Sequence, residues 1–146
     1  MKSKFQELFL TFFYIGYFPY FPGTIASFFS AFLWFFLPSD EIRLFLLTLV
    51  FLLSFVGCYF YDKYNEINDP SFIVIDELVG MWIGLLFVPN NFIFYLIAFL
   101  LFRFFDILKP SFVHHSQNIP FGAGILADDI LSGLLTFLIV YNLVAV

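Results

Sequence analysis

Cysteine is almost missing from this chain: Cys58 is the single thiol in 146 residues. No intramolecular disulfide, CxxC redox motif or Cys-rich metal site can therefore form. Cys58 stands in an apolar run and reads as a small buried or lipid-facing hydrophobe, which excludes thiolate catalysis. Histidine is nearly as scarce, and His114 with His115 is too little for a zinc site; side by side in a loop, they read as an interfacial polar patch. Basic residues are few as well. Six Lys plus Arg against eleven Asp plus Glu leave a formal charge of −5, and without a basic stripe nucleic-acid binding is excluded. Internal repeats, low-complexity tracts and long linkers are missing too, so residues 1–146 read as one domain.

What remains is hydrocarbon. With 62% hydrophobic residues, 26 of them Phe, and a mean hydropathy of +0.99, the chain has more apolar surface than one small soluble core can hide. Lipid is therefore part of its solvent. The opening Met1-Lys2-Ser3-Lys4 resembles a signal-peptide start, but Glu7 interrupts it and no small-residue cleavage site follows, so the segment reads as retained. Segment 5–18 is shorter than the roughly 20 residues a spanning helix needs, which predicts a short interfacial helix.

Further along, Pro22-Gly23 and Pro38-Ser39-Asp40 bracket an apolar helix over 24–37. A spanning helix over 42–61 is closed by Asp62-Lys63, and a polar connector runs to Pro70. The next helix is expected from Ser71 to Val88, before the Pro89-Asn90-Asn91 turn, and another over 92–108. A Pro/Gly-containing loop over 110–124 leads to a last helix over 126–145. The fold class expected is an all-α polytopic membrane bundle with four or five transmembrane helices. If each run crosses once, Thr24, Asp62, Asp69, Asp76, Glu77, Arg103, Asp106, Lys109, Asp128 and Asp129 share one side. Asp40, Glu41, Arg43 and the Asn90-Asn91 turn fall opposite. Five of the six basic residues (Lys2, Lys4, Lys63, Arg103, Lys109) lie on the crowded side, which the positive-inside rule makes cytoplasmic.

Carboxylates at membrane depth are costly without partners and mark function or internal ion pairs. Asp76 and Glu77 sit in such a place, with Arg103 and Lys109 as candidate partners. Gly80 and Gly84 form a small-xxx-small pair that admits a close helix neighbour. Arg103, Asp106 and Lys109 recur at intervals of three and share a helical face. Cation, anion and cation in line suit a metal-bound phosphate, the alternative being two cations reaching for headgroups. Asp128 and Asp129, adjacent near a helix start, point about 100° apart; one is free to ligate metal while the other caps, pairs with a cation or positions water. Ser132 and Gly133, one turn on, read as packing residues. Thr24 after Pro22-Gly23 is either a plain N-cap or part of an anion-binding helix start. Five carboxylates (Asp76, Glu77, Asp106, Asp128, Asp129) from three helices form an oxygen-rich set that suits Mg²⁺.

Four blocks in order, Pro22-Gly23-Thr24-Ile25-Ala26-Ser27, Asp69-Pro70-Ser71-Phe72-Ile73-Val74-Ile75-Asp76-Glu77-Leu78-Val79-Gly80, Phe102-Arg103-Phe104-Phe105-Asp106-Ile107-Leu108-Lys109-Pro110 and Gly122-Ala123-Gly124-Ile125-Leu126-Ala127-Asp128-Asp129, resemble the phosphatidylglycerophosphatase A family. The likeness covers nearly the whole chain. Tyr20-Phe21 stands where the family often has a lysine, and Ala26 and Ala123 replace frequent glycines. The resemblance implies a bacterial, Mg²⁺-dependent phosphoric monoester hydrolase of the cytoplasmic membrane, converting phosphatidylglycerophosphate to phosphatidylglycerol and phosphate. Asp76, Glu77, Asp106 and Asp129 are then the expected catalytic groups, and Arg103, Lys109 and Thr24 the phosphate contacts. Metal-assisted attack of water is the expected chemistry, with a carboxylate off the metal as general base. A small ion or solute transporter using the same carboxylates is the alternative, and a structural subunit a third reading. A CDP-alcohol phosphotransferase is disfavoured because its DG-x-x-AR signature is missing.

Overall fold

The computed structural model describes residues 4–64, 71–109 and 123–145, and contains helices, turns and extended connections with no strand among them. Lys2, Asp69, His114, His115 and most of the 110–124 loop lie outside the described residues. Six α-helices follow in order: α1 Lys4–Leu10, α2 Pro22–Phe36, α3 Asp40–Tyr64, α4 Ile75–Gly84, α5 Phe92–Leu108 and α6 Ala123–Ala145. Two stretches, Asp40–Lys63 and Ala123–Ala145, are long and apolar enough to cross a membrane.

The N-terminal segment is shorter and more bent than an interfacial helix over 5–18. Its seven-residue α1 ends at Leu10, and Phe12, Phe13 and Tyr14 all take left-handed backbone before a 3₁₀ turn at Ile15–Tyr17. At 1.5 Å per residue α1 reaches about 10 Å, too short to span. The Thr11 hydroxyl ties this turn by donating to Glu7 O (2.8 Å) and accepting from Tyr14 N (3.0 Å). Gly16 then lies against the Phe72 backbone, where a Cβ would collide. Val74 N donates to Leu10 O at 3.0 Å. The N-terminal segment thereby fixes residues 71–74, the lead-in to α4.

α2 starts two residues earlier than the sequence suggests. Pro22 occupies the first turn, where a missing N–H costs nothing, and Phe21, left-handed at φ 50°, is the N-cap with no side-chain capping bond. Thr24 is therefore inside the helix, which corrects its reading as N-cap. α4 is shorter than the expected 71–88, running for ten residues before a turn at 85–87. It packs against α2, α3, α5 and α6, and all its residues except Glu77 and Ile83 are buried. Trp82 anchors it to α2 by donating from Nε1 to Ser30 O (2.9 Å), with its ring 5.1 Å from that of Trp34.

The closest approach in the bundle is between α4 and α6, which run in parallel. A Cβ on Gly133 would strike the Gly80 backbone, and one on Gly80 would meet Asp129 O and the Phe102 ring. One turn further, Gly84 lies against Thr136. Small residues on both helices let the backbones touch, as the Gly80/Gly84 spacing implies. At the pole remote from the carboxylates, buried Arg43 donates from Nη1 to Asp40 Oδ1 (3.0 Å) and from Nη2 to Asn90 Oδ1 (2.6 Å). Asn90 also accepts from the Tyr95 hydroxyl (2.9 Å) and donates to Phe35 O (3.3 Å). These bonds join the end of α2, the start of α3 and the turn before α5.

A side chain forced between α4 and α6 overpacks the bundle. Gly133→Leu is expected to destabilise it by roughly 1–3 kcal/mol, read as a lower thermal midpoint in detergent, whereas Leu138→Ala on the exposed face of α6 is expected to leave it nearly unchanged. Equal midpoints for Gly133→Leu and the wild type would contradict this account of the crossing.

Candidate active site

The crossing of α4 and α6 creates the site. Asp76 lies one turn before Gly80 and Asp129 one turn before Gly133, so two carboxylates face each other just above the point where the helices touch. Glu77 follows Asp76, and its backbone N–H donates to Asp76 Oδ1 at 3.1 Å. One oxygen from each of Asp76, Glu77 and Asp129 lies within 4.8 Å of the others, and the same holds for Asp106, Asp128 and Asp129. Asp129 belongs to both groups. Asp76, Asp128 and Asp129 are at most 5% exposed.

The cations enter from α5. Arg103 Nη1 meets Asp106 Oδ2 at 2.5 Å, the pairing their three-residue spacing implies, and donates to Ser27 Oγ of α2 at 3.4 Å. Lys109 is the left-handed C-cap of α5, its N–H donating to Phe105 O at 2.9 Å. That bend carries Lys109 Nζ to Asp128 Oδ2 at 2.7 Å. Of the adjacent pair, Asp128 thus meets a cation, while Asp129 Oδ1 and Glu77 Oε2 are buried with no hydrogen-bond partner among the described residues. The Nε of Arg103 is likewise without one.

All five carboxylates, Arg103 and Lys109 line one cavity of about 270 Å³, together with Phe21, Pro22, Gly23, Ser71 and Ile73. The structure thus gathers every candidate site residue except Thr24, whose place on the wall Gly23 takes. Sequence reasoning gave no role to Gly23 or Ser27. A Cβ on Gly23 would collide with the Glu77 carboxylate and lie 3.3 Å from Arg103 Nη1, so any larger residue there displaces these side-chain ends. Its place in the Pro22-Gly23-Thr24 block was the available signal, but nothing local to that block names Glu77 as its neighbour.

Five carboxylates against two cations, in a place hydrogen-bonded water reaches poorly, is an arrangement that needs further positive charge. The partnerless oxygens of Asp129 and Glu77 are hard donors suited to a divalent cation of the Mg²⁺ type, so the residues present fit such an ion. Arg103 and Lys109 are the cations on the same wall.

Fold and site together define the class: an all-helical protein with apolar flanks and one acidic pole whose carboxylates could hold a metal ion. A family model for phosphatidylglycerophosphatase A matches residues 8–144, and the chain belongs to the phosphatidylglycerophosphatase A family. Membership makes it a phosphoric monoester hydrolase of phospholipid metabolism. It is 34% identical over 135 residues to the phosphatidylglycerophosphatase A of Escherichia coli, covering 86% of this chain and 76% of that one. To the Haemophilus influenzae protein of that name it is 37% identical over 91 residues, 59% of this chain and 56% of that one. A Bacteroides thetaiotaomicron protein named putative phosphatidylinositol-3-phosphatase is 37% identical over 134 residues, covering 86% and 84%. No solved structure matches the chain.

The Gly23 contact makes a sharp test. Gly23→Ala is expected to displace Glu77 and Arg103 and to cut phosphate release by roughly 10- to 100-fold, as small misplacements in a site do, with little change in thermal midpoint because the added methyl meets only flexible side-chain ends. Wild-type turnover in this variant would remove Gly23 from the account of the site.

Proposed function

We propose that this chain is an Mg²⁺-dependent phosphatidylglycerophosphate phosphatase, embedded in the bacterial cytoplasmic membrane by four or five helices with its site at the cytoplasmic face. The observation that carries the reading is the single cavity in which Asp76, Glu77, Asp106, Asp128 and Asp129 meet Arg103 and Lys109, with Asp129 Oδ1 and Glu77 Oε2 left partnerless. The names of the Escherichia coli and Haemophilus influenzae relatives support the substrate. The inner-face assignment rests on the distribution of basic residues, Lys63, Arg103 and Lys109 at the site pole against Arg43 at the other.

Asp76, Glu77, Asp106, Asp128 and Asp129 are the residues that would hold Mg²⁺. When bound, the ion polarises a phosphoryl oxygen and acidifies water. Arg103 and Lys109 bind the phosphate oxygens and neutralise charge that grows as the ester bond breaks. Water supplies the new P–O bond as the bond from phosphorus to the lipid oxygen breaks; whichever of the five carboxylates is not engaged with the ion accepts the water's proton and passes it to the leaving oxygen, which departs as the hydroxyl of phosphatidylglycerol. Ser27 and Asp106 both meet Nη1 of Arg103, which ties the guanidinium to α2 as well as to its own helix.

The Bacteroides relative's name supports a second reading, in which the same pocket takes a phosphoinositide monoester. Purified protein assayed over a lipid panel separates the two. Expected are phosphate release from phosphatidylglycerophosphate, its loss with EDTA and recovery with Mg²⁺. Faster release from phosphatidylinositol 3-phosphate would reassign the substrate, and release that survives EDTA would reject the metal. Asp129→Asn is expected to lower turnover by at least about 10²-fold with the fold intact. Capture of a covalent phosphoryl-enzyme would replace direct attack by water with an aspartyl-phosphate route.

A further inference from the structure

A second cavity, of about 410 Å³, opens between α2 and α5. Its wall is wholly apolar, with Ala31 at the floor and Phe28, Phe32, Leu96 and Phe99 along the sides. Most of these side chains are exposed at the flank of the bundle, Phe28 at 57%, Phe32 at 53% and Leu96 at 46%, whereas Ala31 is 8% exposed. The far end stops at Tyr95, whose hydroxyl is engaged with Asn90.

The position of this groove relative to the acidic pocket is decisive. Residues four apart on a helix lie on one face. Ala31 is four residues beyond Ser27, and Phe99 is four before Arg103. The groove therefore starts about one helical turn, roughly 5 Å, from the hydrogen-bonded Arg103 and Ser27, on the same faces of the same two helices. Phe28 and Phe99 meet edge to face at 6.3 Å at this upper rim. From Phe28 to Phe36 the groove follows α2 for about 12 Å, away from the pole that holds the carboxylates.

A slot of this volume is in the range of small-molecule sites. A hydrocarbon chain suits it, and the group at its upper end is the guanidinium assigned to phosphate. We propose that the α2–α5 groove seats one acyl chain of the phospholipid whose phosphomonoester occupies the acidic pocket, so that substrate enters sideways from the bilayer. The inference rests on the lipid-phosphatase reading above and adds a binding site for the tail.

The test uses the full chain in detergent with phosphatidylglycerophosphate bearing dioleoyl or dibutanoyl chains. Ala31→Trp fills the floor of the groove and touches no group in the acidic pocket. Expected is a rise of roughly 10-fold in KM for the dioleoyl substrate, the loss that about two displaced methylenes produce, with kcat and all constants for the dibutanoyl substrate unchanged. Equal effects on both chain lengths, or none on either, overturn the inference. A direct measurement on the wild type covers the case of a misfolded variant. Photolysis of substrate carrying a diazirine midway along one acyl chain is expected to label peptides of α2 and α5, with competition by unlabelled dioleoyl substrate and not by phosphatidylcholine. Labelling elsewhere, or equal competition by phosphatidylcholine, which marks ordinary bilayer lipid in the groove, overturns it while the phosphatase reading stands. No phosphate release by the wild type from either substrate removes both.

Discussion

The contact between the Gly80 and Gly133 backbones is what the rest of this molecule depends on. Two of its helices are long and apolar enough to cross a membrane; for helices in lipid, burying apolar surface gives little reason to prefer one another, and close packing of small residues supplies it instead. Glycine at this crossing lets α4 and α6 touch, and because the helices are parallel, the residues one turn earlier are also brought together. Those residues are Asp76 and Asp129. The geometry that builds the core thus also builds the carboxylate pair, and a wider crossing would separate both. The N-terminal segment acts on the same element from the other side, since Gly16 and Leu10 hold residues 71–74 and so set where α4 begins.

Such a site is electrostatically unfavourable by itself. Asp76, Asp128 and Asp129 are nearly inaccessible, and like charges in a poorly solvated cavity repel strongly. Two contacts reduce the strain, Arg103 with Asp106 and Lys109 with Asp128, yet Asp129 and Glu77 retain partnerless oxygens. The opposite pole carries a polar cluster of a different kind, in which one cation is met by neighbours on three elements although its Nε has no hydrogen-bond partner among the described residues. There Arg43 is held by Asp40 and Asn90 beside the Trp34 ring, at 5.8 Å from its centroid, and Asn90 is held in turn by Tyr95 and Phe35. That cluster is a clasp between helix ends. The acidic pole instead gathers more carboxylates than cations in one cavity.

Sequence pattern reached this arrangement as far as local spacing extends. Arg103 and Asp106 were readable as partners because three residues on a helix share a face, and Gly80 with Gly84 announced a close neighbour. The identity of that neighbour was not readable, because Gly133 is 53 residues away and parallel packing follows from three-dimensional closure. Lys109 with Asp128 escaped for the same reason, 19 residues apart across a loop. Helix bounds failed where competing rules met. Thr24 satisfied the preference for an N-cap, but Pro22 fits the first turn and carried the helix back past it. The expected 71–88 helix read apolar character as helical length, whereas residues 71–74 form a non-helical lead-in held by the N-terminal turn and the chain turns again after Gly84. Gly23 shows the limit most clearly: a turn residue in the sequence, it is in the structure a residue of α2 whose missing Cβ leaves room for the Glu77 carboxylate.

The burial of α4 constrains how any substrate reaches its carboxylates. With α2, α3, α5 and α6 packed around it and only Glu77 and Ile83 short of full burial, α4 presents no flank to lipid. Its acidic first turn is open only where the start of α2, residues 71–73, the end of α5 and the start of α6 surround the cavity. A soluble phosphate ester needs nothing more than that mouth. A phospholipid must also leave its tails in hydrocarbon, and a cavity ringed on every side by packed helix would strand them in water. The break in the ring lies between α2 and α5, whose facing side chains leave an apolar groove in place of a tight seam. Arg103, which lines the acidic cavity, and Ser27 lie one helical turn beyond Phe99 and Ala31 of that groove, so polar cavity and apolar groove adjoin on the same faces of α2 and α5.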